Sequence, residues 1–285
     1  MSAALDQRVV GEAARRSSRP PSPASDPEEV TFLGVPIAMI DDVAAAQRIA
    51  DRPPGLPMVY VVTPNAANFT RLNEVRDPRM IEVYRHAWMR LIDGQIPRAL
   101  AKALFGLSIP LATGSDITLN LLEKHIAPDD PVTVIGGSDE MVARLKQRFG
   151  LKRVFLHDPP QGFIDMPEEI DRCVDFILAH PSRYIFLTAG SPQSEYVALR
   201  ALERGGAVGC ALCVGSALNF ATGLVRRAPR FMRRAGLEWA YRLMINPFGH
   251  WRRIFIDSMP VLWTAARARL DPAAFGMETA RKDRE

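Results

Sequence analysis

The chain has 285 residues, 47% hydrophobic and 24% charged, which is ample for one large globular domain and excludes a chain disordered throughout or a fibrous repeat. A formal net charge of +4 is mild, so an anionic partner depends on where the basic residues lie, and they concentrate after Arg226. The three cysteines, Cys173, Cys210 and Cys213, include one C-x-x-C pair, but no second pair or histidine follows at zinc spacing, and the apolar flanks in "VGCALCVG" suit buried thiols.

Residues 1–29 lack an apolar core long enough for a signal peptide and are rich in Pro, Ser, Arg and Ala, which reads as a flexible leader. From Thr31 onward, short β-branched runs alternate with longer amphipathic stretches, the pattern of βα units in a largely parallel sheet. The predicted strands are "MVYVVT" (58–63), "MRLID" (89–93), "VTVIGG" (132–137), "RVFLH" (153–157), "YIFLTAG" (184–190) and "GCALCVG" (209–215). Helices are predicted around Pro78–His86, Ile96–Phe105, Ser115–His125, Asp139–Phe149, Pro167–His180 and Ser194–Glu203. Gly205–Val225 carries no charge over about the length of a membrane span, but its glycines, serine, asparagine and threonine predict a buried strand, a tight turn and a short helix.

In a doubly wound sheet, ligands sit outside the carboxyl ends of the strands. That rule gathers "TPNAAN", "DGQ", "GG", "AGSPQSE" and "GSALNF" on one rim, with "ATGSD" (112–116) opening a helix beside them. "VIGG" puts Gly136 and Gly137 where backbone amides can approach a phosphate, or where a plain turn is capped by Ser138. In "TGSD", Ser115 or Asp116 can serve as a helix cap. Asp93 ends an apolar run before Gly94; its carboxylate can act as a general base at the mouth of the sheet or bond loop amides. There is no D-x-D, and the five histidines show no ligand spacing, so arginines or helix dipoles must offset any diphosphate charge.

After Arg226, Leu237, Tyr241 and Met244 recur at helical spacing among many arginines. Three readings fit that pattern: a helix packed on the core, a segment lying in a membrane interface, or a nucleic-acid contact, the last without any recognised motif behind it.

Taken together, "TPNAANF" (63–69), "DPRM" (77–80), "LIDGQ" (91–95), "TGSD" (113–116), "VIGG" (134–137), "QGF" (161–163), "GSPQSE" (190–195), "GSALNFATGLVRRAP" (215–229) and "GLEWAYRL" (236–243) resemble the WecG/TagA/CpsF family of bacterial glycosyltransferases. The likeness runs from about Val30 to Trp263. It implies a Rossmann-like, doubly wound, mainly parallel α/β sheet over 30–225, a membrane-associating amphipathic helical appendage over 226–270 and a flexible tail over 271–285.

The implied activity is an inverting, metal-independent transfer of a sugar from a UDP-sugar to a polyprenyl-diphosphate-linked saccharide. It would take place at the inner face of the cytoplasmic membrane, in exopolysaccharide, capsule or cell-wall polymer synthesis. No cofactor beyond the donor and no nucleic acid is implied, and the apolar side of the appendage would serve membrane docking or a homo-oligomer. Asp93 matches the family's proposed base, Thr63 and Asn65 its pocket positions, Gly136 and Gly137 its nucleotide loop, and Arg242 and Arg252 its appendage arginines. Gln95, Thr113, Ser115, Asp116, Gly190, Ser194, Glu195 and Asn219 complete the expected substrate rim.

Three departures fall on or near that rim: Ser194 stands where the family usually has glutamine, Asn219 where aspartate is common, and Gly249 where an appendage arginine is expected. They keep open a rival reading as a nucleotide-binding or membrane-scaffolding protein of the same fold with reduced turnover. A dinucleotide oxidoreductase is disfavoured by the missing G-x-G-x-x-G.

Overall fold

A computed structural model describes residues 26–229, 231–232, 237–245 and 247–277, without the side chains of Trp239, Arg242, His250 and Arg253. The first 25 residues of the expected leader and residues 278–285 of the expected tail lie outside the described residues.

All six predicted strands form, shorter than their apolar runs: β3 (Val59–Val62), β4 (Met89–Arg90), β5 (Val132–Ile135), β6 (Val154–His157), β7 (Tyr184–Leu187) and β8 (Cys210–Cys213). They make one parallel sheet in the order β4-β3-β8-β7-β5-β6. Helices cover both faces, as a doubly wound sheet requires. On one face, Tyr60, Val62, Ile185, Leu187, Ala211 and Cys213 pack with residues of α3 (Pro78–His86), α7 (Pro167–Ala179), α8 (Gln193–Arg204) and α12 (Pro260–Leu270). On the other, Val61, Val132, Val134, Tyr184, Phe186 and Leu212 meet α1 (Asp42–Asp51), α5 (Gly114–Lys124), α6 (Asp139–Phe149) and α9 (Ala217–Thr222). Alternate strand residues go to opposite faces, which is why the central runs read as continuously apolar.

Gly205–Val225 resolves into β8 and α9, and among the described residues no helix is long and apolar enough to cross a membrane. Cys210 and Cys213 lie three apart on β8 and face opposite layers, so they cannot act as a pair. Burial pushes the Cys210 thiol up to about 12 and raises Cys213 well above its ordinary value, which leaves both unreactive.

Absent from the periodicity reading are helix α1, the five-residue helix over Ala66–Thr70 and an antiparallel hairpin, β1 (Glu29–Phe32) and β2 (Val35–Ala38), turning at Leu33 and Gly34 with positive φ. The hairpin covers the β4 edge through buried Arg90. That guanidinium donates to Pro36 O (2.8 Å), Tyr84 O (3.1 Å) and Ala87 O (2.7 Å) and pairs with Glu29 at 2.6 Å. An otherwise open sheet edge is thereby closed.

Helices α2 (Ala66–Thr70) and α4 (Gln95–Phe105) flank the rim. Beyond Arg226 the described elements are α10 (Glu238–Ile245), α11 (Pro247–Arg252), a π-helical turn over Arg253–Ser258 and α12. Their roles divide. Helix α12 is core: Val261, Ala265 and Ala268 are buried, Thr264 Oγ1 donates to Glu74 Oε1 at 2.6 Å, and Arg267 pairs with the same carboxylate. In contrast Met244, Phe248 and Trp251 are 79%, 95% and 55% exposed, so this apolar stretch does not pack on the sheet. The segment after Leu270, read from sequence as the start of a tail, makes a 3-10 turn over Ala273–Phe275 and buries Met277.

Candidate active site

The carboxyl ends of β3, β4 and β8 lie side by side, and the loops leaving them are tied together. Thr63 Oγ1 donates to Cys213 O at 3.3 Å, joining the ends of β3 and β8. The Asp93 amide donates to Pro64 O at 2.9 Å and Ala112 donates to Ile92 O at 3.2 Å, which seats the "DGQ" loop against "TPN". Gly114 opens α5 so close to both that an added Cβ would meet Thr63 Oγ1 at 3.1 Å and Val214 at 3.2 Å. Thr63, Asn65, Asp93, Thr113 and Asp116 are thus brought to one corner of the sheet.

Asp93 is half-buried there, beyond the two-residue β4, followed by Gly94 at φ +93°. Asn65 caps α2: its Oδ1 accepts from the amides of Ala67 (3.0 Å) and Asn68 (3.4 Å), which leaves Nδ2 as its remaining donor. Gln95, half-buried on the first turn of α4, accepts from Arg98 at 3.4 Å.

One residue absent from the expected site stands at its centre. Arg227 binds Asp116 through two nitrogens, Nη1 to Oδ1 at 2.5 Å and Nη2 to Oδ2 at 3.1 Å, and Nη2 also donates to Thr113 Oγ1 at 3.2 Å. Thr113 in turn donates to Asp116 Oδ2 at 2.7 Å and caps α5. Burial opposes the charge of Arg227, but the hydrogen bonds and field of Asp116, with the fields of Glu238 and Asp93, more than offset it and hold its pKa above the ordinary value. A permanent cation therefore stands within the electrostatic reach of Asp93. Half-buried Ser115 completes the turn.

The loop after β7 reaches the same corner across β8. Asn68 Nδ2 donates to Ser191 Oγ at 2.8 Å, and Ser191 hydrogen-bonds the Glu195 carboxyl. Gly190 sits at φ +89°. Ser194 and Glu195 are 2% and 5% exposed, so their side chains lie beneath the rim; Ser194 Oγ donates to the β7 carbonyl of Leu187 at 3.1 Å.

Gly136 and Gly137 stand apart. They follow β5, four strand spacings from β4, about 19 Å. Their amides are already engaged, Gly136 with His157 O at 2.8 Å and Gly137 with the Asp158 carboxylate at 3.2 Å. An added Cβ on Gly136 would come 2.9 Å from Ala189 N, so this glycine also permits the close approach of the β7 loop.

Asn219 is half-buried on α9, where its carbonyl accepts from Val225 at 3.1 Å. Arg252 is exposed at the end of α11, and the Arg242 side chain lies outside the described residues. Among the described residues, no three His, Cys, Asp or Glu side chains gather as a metal site would require.

Chemically, the corner offers a half-buried carboxylate, an amide donor, a helix N-terminus and a half-buried arginine. This is a set suited to deprotonating a hydroxyl beside a polar or anionic ligand. Residues 30–274 match the family model described as the glycosyl transferase WecG/TagA/CpsF family.

Proposed function

The chain belongs to the WecG/TagA/CpsF family and is thus a glycosyltransferase, and from that premise we propose that it moves a sugar from a UDP-sugar to a polyprenyl-diphosphate-linked saccharide during surface polymer synthesis. In this reading Asp93 takes the proton of the acceptor hydroxyl, whose oxygen attacks the anomeric carbon from the side opposite the departing UDP. The anomeric C–O bond to the diphosphate breaks with inversion, and the electron pair leaves on UDP. Asn65 orients the sugar through Nδ2. Arg242 and Arg252, which match the family's appendage arginines, would offset charge on the diphosphate without a metal ion.

The observation that carries the reading is the convergence at the carboxyl ends of β3, β4 and β8 of Asp93, Asn65 and the Arg227–Asp116 pair. The exposed apolar residues of α10 and α11 support peripheral attachment to the inner face of the cytoplasmic membrane, where a lipid-borne acceptor would be met. The test is turnover: purified full-length protein, a lipid-linked acceptor and a panel of UDP-sugars, with UDP release and glycolipid product measured together. Stoichiometric release and product from one donor supports the proposal. A complete panel with neither, by protein that still binds UDP, favours the non-catalytic alternative.

A further inference from the structure

Glu195 is the buried acid that the transfer chemistry leaves unused. Its carboxyl hydrogen-bonds Ser191, and its second oxygen, Oε2, is buried and has no hydrogen-bond partner among the described residues. From Ser191 the contacts continue in one direction. Ser191 Oγ accepts from Asn68 Nδ2 at 2.8 Å, and Asn68 Oδ1 accepts from the Asn65 amide at 3.1 Å. Asn65 Oδ1 then accepts from Ala67 and Asn68.

We propose that Glu195 is a positioning residue, whose carboxylate acts through Ser191 and Asn68 to fix the direction in which Asn65 presents its side-chain Nδ2 to the ligand. The inference rests on the glycosyl-transfer reading and deepens it. A serine hydroxyl has one hydrogen, and an ionised carboxylate claims it. The lone pairs of Ser191 are then left for Asn68 Nδ2, so Asn68 must turn Oδ1 toward Asn65. With both oxygens committed, the Asn65 Nδ2 has one direction. The chain joins the loops after β3 and β7, which flank β8, so two separate rim segments take their register from one acid.

The other groups acting on this acid come from three elements: Arg71 on the turn after α2, Tyr84 on α3 and Cys213 on β8. Tyr84 and Cys213 are raised well above their ordinary values by burial, so neither changes charge near neutrality, and the field of Arg71 favours the ionised form of Glu195. Burial pushes Glu195 itself up to about 7. When it takes a proton, unpartnered Oε2 is where the proton resides, and the neutral carboxyl becomes a weaker acceptor for Ser191.

The experiment follows the side-chain amide resonances of Asn65 and Asn68 across neutrality in ¹⁵N-labelled full-length protein. Wild type is compared with Glu195→Gln, Ser191→Ala and Ser191→Thr, and turnover is measured on the same samples. In wild type both amides should move together with one midpoint. They should be silent in Glu195→Gln and uncoupled in Ser191→Ala, with coupling restored by Ser191→Thr, which keeps the hydroxyl. Turnover should fall about tenfold in Ser191→Ala, as misorientation without loss of binding predicts, while UDP affinity holds, and Glu195→Gln should lose the acid limb of the pH profile. Amides that stay still while the Glu195 carboxyl carbon titrates would overturn the proposal, as would a wild-type pH profile in Glu195→Gln. If no donor supports turnover, the resonances still decide the positioning role, and the transfer reading fails separately.

Discussion

Arg227 reaches back to Asp116 in a two-point ion pair, closing 111 residues of chain between the segment after α9 and the first turn of α5. The pair fastens the start of the C-terminal region to the rim. Because the Arg227 side chain is only 18% exposed, removing one partner leaves a largely buried charge unpaired. Arg227→Ala or Asp116→Asn should therefore destabilise by about 1–3 kcal/mol, discounted from a fully buried pair for the one-third exposure of Asp116. Urea unfolding would measure this, and a double variant should show strong non-additivity. Arg227→Lys should recover little, because an ammonium cannot bridge both oxygens and Thr113 at once.

Asp93→Asn keeps the size of the side chain and removes its basicity. Transfer should fall by about 10²-fold or more, the scale of general-base catalysis, while UDP affinity and melting temperature stay near wild type. Near-normal turnover in that variant would remove Asp93 from the base role.

Glu195 makes stability depend on pH in a defined direction. Burial raises its folded pKa to about 7 from an ordinary 4.5, so its stabilising contribution is complete below the ordinary value and is lost as pH rises through about 7. Glu195→Gln is neutral throughout. It should flatten the melting temperature across this window, and its stability should exceed that of wild type on the alkaline side by up to about 3–4 kcal/mol, from roughly 1.4 kcal/mol per pKa unit. Calorimetry at matched ionic strength reads both effects.

Phe248 and Trp251 project into solvent, so replacing them should not touch the core. Phe248→Ser with Trp251→Ser should weaken binding to anionic phospholipid vesicles by about tenfold or more, given roughly 1.5–3 kcal/mol for each large apolar side chain buried. The melting temperature should be unchanged. Equal sedimentation of both proteins with vesicles would show that this stretch is not the docking face.

The sheet was legible because β5, β7 and β8 are buried on both faces and therefore written almost wholly in apolar residues, with Thr133 of β5 as the polar exception. The hairpin was not: "EVTF" and "VPIA" are four residues each, too short for alternation to stand out, and the partners that seat them, core contacts of Phe32 and Ile37 and the guanidinium of Arg90, lie far along the chain. In the site, the position of Asp93 after β4 followed from the rule about strand ends. Arg227 did not, because its partner is remote in sequence and an arginine in "VRRAP" reads like any other in a basic run. Burial of Ser194 and Glu195 escaped for a similar reason: polar residues at the start of a helix usually face water, and here the loop after β7 folds over them. The tail reading divided because one amphipathic pattern covered two outcomes, an exposed stretch and a core helix, and only packing tells them apart.

The exposed stretch lies between two anchors, Arg227 on Asp116 at one end and Thr264 with Arg267 on Glu74 at the other. Under the proposed membrane attachment, a surface grasped by Phe248 and Trp251 would meet the strand ends at a distance bounded by those anchors. Lengthening the polypeptide between them should then lower transfer to a lipid-borne acceptor even where vesicle binding is undiminished.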